Sequence, residues 1–253
     1  MGLNLGDTQN AQNGGVTEPQ QRSIWGIIID VFVSPTRAFS DYKKKPVVIV
    51  PLILAVILAA ISGAVMAPYQ AKMQVEMFQQ STTLPPQVLE QARQSAENPN
   101  YVLSAVLGGF FGILLSFLLA LLAWGIGTFL FGGTTKFKGI WGVCLLAGLI
   151  SEVIAVVIKL PLIIAKGSPD VSFGLAALMP TKYTSLLYLF LTYMDAIAIW
   201  VLIVAGIGLS IQMGISRGKG IATSVITTGV ILIGGLGLQI FGMSFAGVEF
   251  SLF

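Results

Sequence analysis

Long apolar stretches separated by short polar segments fill the chain from about Pro46 to Phe245. A helix needs roughly 20 apolar residues to cross about 30 Å of hydrocarbon. Lipid also requires each backbone polar group to be satisfied within a helix or a closed barrel. The pattern therefore predicts an all-α membrane protein, in which residues 46–245 form a bundle of five transmembrane helices. The predicted spans lie at about 46–68, 102–131, 139–165, 185–213 and 220–245.

The polar residues outside the spans predict two tails and one long loop. Residues 1–21 are rich in Gln, Asn and Gly and lack an apolar core, which is typical of a disordered tail and not of a signal peptide. Residues 246–253 are expected to form a short C-terminal tail. Residues 69–100 form the longest loop. Its first part is expected to prolong the first span as a helix, and residues 87–97 are expected to form a short helix of their own.

Residues 22–45, just before the first span, predict amphipathic helices that lie in the membrane interface. Apolar residues recur at helical spacing from Trp25 to Phe32, but the stretch is too short to cross. Ser34 and Pro35 then suit the N-cap and the first position of a second helix. The apolar residues that share one face of this second helix are Ala38, Phe39 and Tyr42.

Lysine and arginine are distributed unequally between the two sides of the predicted membrane. The side that includes the N-terminus carries Arg22, Arg37, Lys43, Lys44, Lys45, Lys136, Lys138, Arg217 and Lys219. The other side carries only Lys72, Arg93, Lys166 and Lys182. Because an excess of these residues marks the cytoplasmic face, we expect a cytoplasmic N-terminus, with the 69–100 loop and the C-terminus extracytoplasmic. The absence of His and the short polar tail fit a bacterial plasma membrane.

The composition of the chain excludes several kinds of binding site. The 253 residues are 55% hydrophobic and 10% charged, whereas soluble domains carry about 25% charged residues. A net charge of +3 with no basic stripe gives no footprint for nucleic acid. His is absent and Cys144 is the one cysteine, which excludes an intrachain disulfide and zinc sites of the usual His and Cys ligands. We therefore expect no metal and no cofactor.

Three ionisable residues lie inside the predicted spans, namely Glu152, Lys159 and Asp195. A charge at a helix centre costs at least about 2.5–3.5 kcal/mol on insertion scales, so such residues pair with one another or mark an ion or proton path. Glu152 and Lys159 are expected about 10 Å apart along one helix face, and Asp195 about 15 Å into the fourth span.

Two interpretations of these charges stay open. In the first, Lys159 pairs with Asp195 or Glu152 and locks two helices together, or it extends toward the far interface. In the second, Glu152 and Asp195 line a polar cavity that binds a cation or a proton.

Catalysis is not expected from these residues. Without His there is no Ser-His dyad. An intramembrane aspartyl protease needs two aspartates, and Asp195 is the one predicted deep in a span. The turn from Arg217 to Gly220 lacks the strand and the spacing of a phosphate-binding loop.

Three different short motifs follow one another along the chain. The first motif precedes the first span and reads Phe32-Val-Ser-Pro35-Thr-Arg-Ala38-Phe39. The second follows the second span and reads Phe131-Gly132-Gly133, then Lys136-Phe137-Lys138. The third lies in the fourth span and reads Asp195-Ala-Ile-Ala-Ile-Trp200, then Gly206-Ile-Gly208-Leu. Over nearly all of residues 23–245, this series resembles the Yip domain family (Ypt/Rab-interacting-protein domain) in its prokaryotic branch.

The resemblance implies a five-helix membrane domain. Eukaryotic members of the family act in Golgi and endoplasmic-reticulum trafficking, bind small prenylated GTPases and form homo- or hetero-complexes. Their Asp-Leu-Tyr-Gly-Pro and Gly-Tyr signatures are absent from this sequence, which weakens the inference to a GTPase partner. The partners expected here are the lipid bilayer and a second copy or another membrane protein.

Two functions follow from these observations. The family resemblance favours a non-enzymatic membrane scaffold or trafficking-like protein that acts through helix–helix association. The placement of charge favours a small transporter or an ion or proton channel that uses Glu152, Lys159 and Asp195.

Overall fold

A computed structural model describes residues 22–79, 85–168, 171, 173–179, 185–193 and 195–245. The expected tails, 1–21 and 246–253, lie outside the described residues. The α-helices in these ranges are α1 (Ile24–Val33), α2 (Pro35–Lys44), α3 (Ile49–Gln79), α4 (Pro86–Glu97), α5 (Tyr101–Phe129), α6 (Phe137–Ile154), α7 (Leu160–Lys166), α8 (Leu186–Thr192), α9 (Ala196–Met213) and α10 (Arg217–Phe245). The described residues contain no β-strand, so the predicted all-α fold class is confirmed.

Five helical segments are long and apolar enough to cross a membrane, as the hydropathy pattern predicts. They are Ile49–Gln79, Tyr101–Phe129, Phe137–Lys166, Ala196–Met213 and Arg217–Gly242. The first span continues as a helix well past its apolar part, and α4 coincides with the short helix expected at 87–97.

The third and fourth spans form the centre of the bundle. In their most apolar windows 39% of residues are buried, against 11–17% for the other three spans. The helix α6 contacts α3, α5 and α9, while α9 also contacts α10. The outer helices therefore surround an α6–α9 pair, and much of their surface is left for lipid.

An aromatic cluster fixes the antiparallel pair of α5 and α6. The rings of Phe117 and Trp141 lie edge to face with their centroids 5.7 Å apart, and Phe137 packs 5.3 Å from Phe117. The indole N–H of Trp141 donates to Ser116 and that of Trp124 donates to the Thr135 carbonyl. The indole N–H of each of these two partly buried tryptophans therefore has a partner, which is the usual condition for indoles inside an apolar region.

The third span is interrupted by a π-helical turn at Ala155–Lys159. Pro161 follows directly, and a proline both lacks an N–H donor and clashes with the carbonyl four residues earlier. A π turn holds more residues per turn than an α-helix. The α-helical spacing predicted that Glu152 and Lys159 lie two regular turns apart on one face. The π turn changes the spacing between them, so this prediction is wrong.

The fourth span differs from the prediction of one helix at 185–213. The segment is divided into α8 and α9, and α9 begins only after Asp195. The Asp195 carboxylate accepts a hydrogen bond of 2.7 Å from the Ala198 N–H, which makes it the N-cap of α9. Aspartate is unfavourable inside a helix but favourable at this position. The expectation that Asp195 lies about 15 Å inside a span is therefore wrong.

Candidate functional site

The first motif forms the contact between the N-terminal helices and the rest of the bundle. Ser34 links α1 to α2 as a hairpin, and Pro35 occupies the first position of α2 as expected. The face of α2 formed by Ala38, Phe39 and Tyr42 has no exposed surface at all. Full burial on this face means that α2 packs into the bundle and does not simply lie in a membrane interface.

Two glycines on the central helices make room for the aromatic rings of α2. The hydroxyl and ring of Tyr42 lie so close to Gly142 of α6 that a β-carbon there would overlap them. A β-carbon at Gly208 of α9 would lie 2.9 Å from the Phe39 ring and 2.6 Å from Val143. We call this contact the hairpin socket; it is formed by Ala38, Phe39 and Tyr42 against Gly142, Val143 and Gly208.

Polar contacts fasten the rim of the hairpin socket. The Lys43 ammonium donates to the Ile211 carbonyl in the last turn of α9, where the helix dipole favours a positive charge. The Arg217 guanidinium at the start of α10 donates to the Thr36 hydroxyl at 3.2 Å. These contacts tie α2 to the turn between α9 and α10.

A second polar group links α1 to α2. Arg22 pairs with Asp30 and lies 3.9 Å from the Asp41 carboxylate. Asp41 also accepts a hydrogen bond of 2.8 Å from Lys44. This hydrogen bond, with the nearby charges of Lys44, Arg22 and Arg37, holds the pKa of Asp41 below its ordinary value.

Tyr42 is the exception in this polar arrangement. Its hydroxyl is buried and has no hydrogen-bond partner among the described residues. Burial raises the pKa of this hydroxyl above its ordinary value. The group is therefore held neutral, and it contributes volume to the socket without contributing polar chemistry.

The other motif residues hold neighbouring turns. Gly132 adopts a left-handed backbone with φ +70°, as the tight turn after α5 requires. A β-carbon at Gly133 would lie 2.8 Å from Met213 at the end of α9, and the next amide, Thr134, donates to the Met213 carbonyl. A β-carbon at Gly206 would overlap the backbone of Ile221 in α10. These glycines let the turn after α5 and the helix α10 approach α9 closely.

Two motif aromatics have less enclosed positions. Phe32 of α1 is partly buried against the core, and Trp200 of α9 is 39% exposed on the outer surface of the bundle. Trp200 therefore does not belong to the socket.

The intramembrane charges form one ion pair and leave one carboxylate apart. The Lys159 ammonium lies 3.0 Å from the Asp195 carboxylate and 5.5 Å from the centroid of the Phe173 ring. Asp195 is 5% exposed and also forms a backbone bridge with Gly174. The pair therefore joins the end of the third span to the start of α9.

The position of this pair reduces its cost in a membrane. The π turn that contains Lys159 begins 18 residues after the start of α6, about 27 Å along the helix and thus close to the roughly 30 Å of hydrocarbon. Asp195 precedes an 18-residue α9, about 27 Å long. Both groups therefore lie near the opposite end of the bundle from the hairpin socket.

Glu152 does not join this pair. It is half-buried on α6 and has no ion pair with another described residue. Three clefts that we find in the described part of the chain are lined by other residues than Glu152, Lys159 and Asp195. Within the same residues, no three His, Cys, Asp or Glu side chains lie together as a metal site.

The fold and the socket define a five-span membrane bundle whose N-terminal hairpin packs into its central helix pair. The family model described as the Yip1 domain matches residues 29–238, and the chain belongs to this family. The resemblance drawn from the short motifs is thereby confirmed. Comparison with curated proteins and with solved structures found no match. Family and architecture together fit a multi-pass membrane protein.

Sequence reasoning identified the face of α2 but missed its partner on α6. Gly142 is one of 29 glycines in the chain, and nothing in its local sequence marks it as the position opposite Tyr42. Gly208, by contrast, lies within the third motif. The contact between α2 and α6 joins residues 100 positions apart, so local periodicity does not reveal it.

A substitution at Gly142 tests the hairpin socket. We expect Gly142→Ala to lower the free energy of unfolding by about 1–3 kcal/mol, because the added methyl group overpacks the Tyr42 contact. Gly148→Ala on the same helix is the matched control, since a β-carbon there meets nothing within 4 Å. The control should be neutral or stabilising by up to about 1 kcal/mol, from helix propensity. Unfolding followed by circular dichroism in detergent measures both, and equal effects would contradict the socket.

Substitutions at Asp195 separate its two roles. Asp195→Asn keeps an oxygen that accepts from the Ala198 N–H and loses only the ion pair. We expect it to lower the free energy of unfolding by about 1–3 kcal/mol. This is less than for a fully buried pair, because the Lys159 side chain is 29% exposed. Asp195→Ala also loses the N-cap and should cost about 1 kcal/mol more. In a Lys159→Gln background the effect of Asp195→Asn should shrink by at least about 0.5 kcal/mol. Strictly additive unfolding energies would show that the two side chains are not coupled.

Proposed function

We propose that this chain is a non-enzymatic membrane scaffold that associates with a second copy of itself through helix–helix contacts in the bilayer. The observation that carries the proposal is a group of exposed glycines on the second half of α10, of which Gly235 and Gly242 share one face. Gly234, Gly235, Gly237 and Gly242 are exposed, and a β-carbon at each would meet nothing within 4 Å. Family membership supports a membrane-organising role, because the resemblance implies proteins that form homo- and hetero-complexes.

Glycine on the outside of a membrane helix has a specific physical use. Inside the bundle, the chain's glycines bring helix pairs together, as Gly63 of α3 and Gly108 of α5 show by their contact with each other's helix. Lipid tails are as apolar as leucine, so helices associate through close packing and not through the hydrophobic effect. The glycines on α10 offer the same close approach, but none of the described helices occupies that surface. A second copy presents a surface of the same kind, as a two-fold contact requires.

The docked hairpin supports a role in shaping or marking one leaflet. While Ile27 and Val31 of α1 face the core, Trp25, Ile29 and Val33 lie four residues apart on the outer side and are more than half exposed. This outer stripe suits contact with the shallow part of a leaflet. Because the socket holds α2, and with it the hairpin, against the bundle, the helix α1 adds its volume to the leaflet on that side of the membrane only.

The charge distribution supports an orientation. The turn between α5 and α6, the turn between α9 and α10 and the helix α2 meet at one end through the contacts of Lys43, Thr134 and Arg217. We propose that this end, rich in Lys and Arg, faces the cytoplasm, and that the protein resides in a bacterial plasma membrane. The proposed partners are therefore the lipid bilayer and a second copy, with neither nucleic acid nor a GTPase required.

Glu152 favours a second candidate, transport of a cation or a proton. A half-buried carboxylate inside a span without an ion-pair partner among the described residues is the kind of group that proton and ion pathways use. Asp195 is less suited to this task, because its charge is already engaged by Lys159 and by the N-terminus of α9. A transport function would therefore depend on Glu152 first.

Self-association in liposomes tests the scaffold. We expect copies labelled with donor and acceptor dyes to show energy transfer that grows with protein density. Replacing Gly235 and Gly242 with Leu should weaken association by at least about tenfold, because both lie seven residues apart on one face and the added side chains overpack a close contact. Gly229→Leu is the control on α10, since Gly229 is also open and points about a third of a turn away.

The same liposomes distinguish the two candidates. Wild-type protein without cation or proton flux, and with energy transfer that the control retains, supports the scaffold. A wild type that stays monomeric at all densities, or a control that weakens association equally, contradicts it. Flux that is lost in Glu152→Gln would establish transport instead.

A further inference from the structure

A basic cleft opens at the end of the bundle that carries the hairpin socket. Its volume is about 340 Å³, and it lies between the turn after α5, the last turn of α9 and the end of α2. The cations in its lining are Lys43, Lys136 and Lys138. The described residues that line it include no Asp or Glu. Three basic residues therefore line a common space without an acidic residue among the lining residues, and the ammonium of one of them, Lys43, also donates to the Ile211 carbonyl.

The surrounding groups are also donors. The lining includes the hydroxyl-bearing Thr134 and Thr135 together with the first turn of α6. Lys136 is the N-cap residue of α6, and no side chain caps that helix end. The N-terminus of a helix carries about half a positive charge and unsatisfied N–H groups. The helix end therefore adds to the attraction that the lysines exert on an anion.

Gln212 provides an independent observation. It lines the cleft and is 5% exposed, yet its side-chain N–H₂ group has no hydrogen-bond partner among the described residues. Leaving a buried donor unsatisfied costs about 1–3 kcal/mol. The amide oxygen lies against Gly139, where a β-carbon would approach it to 2.8 Å. The amide nitrogen is itself enclosed, so an acceptor that enters the cleft satisfies this donor once the Gln212 side chain turns toward the lysines.

We propose that this cleft binds a phosphate group, carried either by an anionic lipid head group or by a soluble phosphate. Phosphate offers several acceptor oxygens and a negative charge, which match the ammonium groups, the hydroxyls and the Gln212 amide. A position at the end of the apolar spans is where a lipid phosphate lies, and the same cleft also opens to exposed residues such as Thr134 and Gly214. The inference does not depend on self-association.

Binding is measured as a rise in the unfolding midpoint of the full-length protein in nanodiscs. One series uses phosphatidylcholine alone against phosphatidylcholine with phosphatidylglycerol. The other series titrates sodium phosphate against sodium chloride at equal ionic strength, in phosphatidylcholine nanodiscs. A rise with phosphatidylglycerol identifies a lipid head group as the source, and a rise with inorganic phosphate identifies a soluble one.

Two kinds of variant connect the rise to the cleft. Lys136→Gln combined with Lys138→Gln removes two charges, and Gln212→Leu removes the buried donor without changing the charge. Each should weaken the apparent affinity by about tenfold or more, as expected for the loss of charge-assisted contacts. The control is Lys45→Gln combined with Lys219→Gln, which removes equal charge from residues outside this cleft.

The outcomes decide the proposal. It is supported if the midpoint rise survives in the control and is lost in both the double lysine variant and Gln212→Leu. It is overturned if neither probe raises the wild-type midpoint beyond the effect of ionic strength. It is also overturned if the control loses the rise as fully as the cleft variants, because the binding would then be diffuse attraction to positive charge.

Discussion

The contact between the aromatic face of α2 and the glycines of α6 and α9 is the constraint on which the rest of the architecture depends. In lipid there is no hydrophobic force that draws one apolar helix to another, so shape complementarity has to hold the bundle. Phe39 and Tyr42 fit against Gly208 and Gly142, which lie on the two most buried spans. The socket therefore joins the N-terminal hairpin to both central helices at once. It also brings Lys43 and Arg217 to positions where they connect α2 with the turn after α9.

The distribution of charge follows from the same solvent. Lys159 and Asp195 are paired at the end of the bundle opposite the hairpin, and Asp195 also caps α9. The ion pair and the helix cap each give the Asp195 carboxylate a partner, so the carboxylate is stable in a region where an unpaired charge is costly. The lysines at the other end are grouped around a cleft with an unsatisfied amide donor. The ion pair at one end of the bundle satisfies its own two charges, whereas the cleft at the other end is lined by lysines without an acidic residue among its lining residues.

The sequence was sufficient for the number of spans, because hydropathy reports directly on the solvent that each segment prefers. It was also sufficient for the face of α2, whose apolar residues recur at helical spacing. The break between α8 and α9 could not be predicted from the sequence, because residues 185–213 read as one continuous apolar stretch. Asp195 is a strong N-cap residue and starts α9 within that stretch. The register of Glu152 against Lys159 was missed because the π turn before Pro161 changes the spacing. Gly142 and Gln212 were missed because their significance lies in contacts with distant segments.

The most direct test of the docked hairpin is hydrogen exchange of the α2 amides in lipid nanodiscs. If α2 is held in the socket, the amides around Ala38–Tyr42 should exchange as slowly as those of α6, because opening them requires separating α2 from the central helices. A helix that merely lies in the membrane interface opens by itself, so its amides exchange far faster than those of the spans. Protection of α2 equal to that of α6 is the result that our account predicts. Rapid exchange of α2 beside a protected α6 would contradict it.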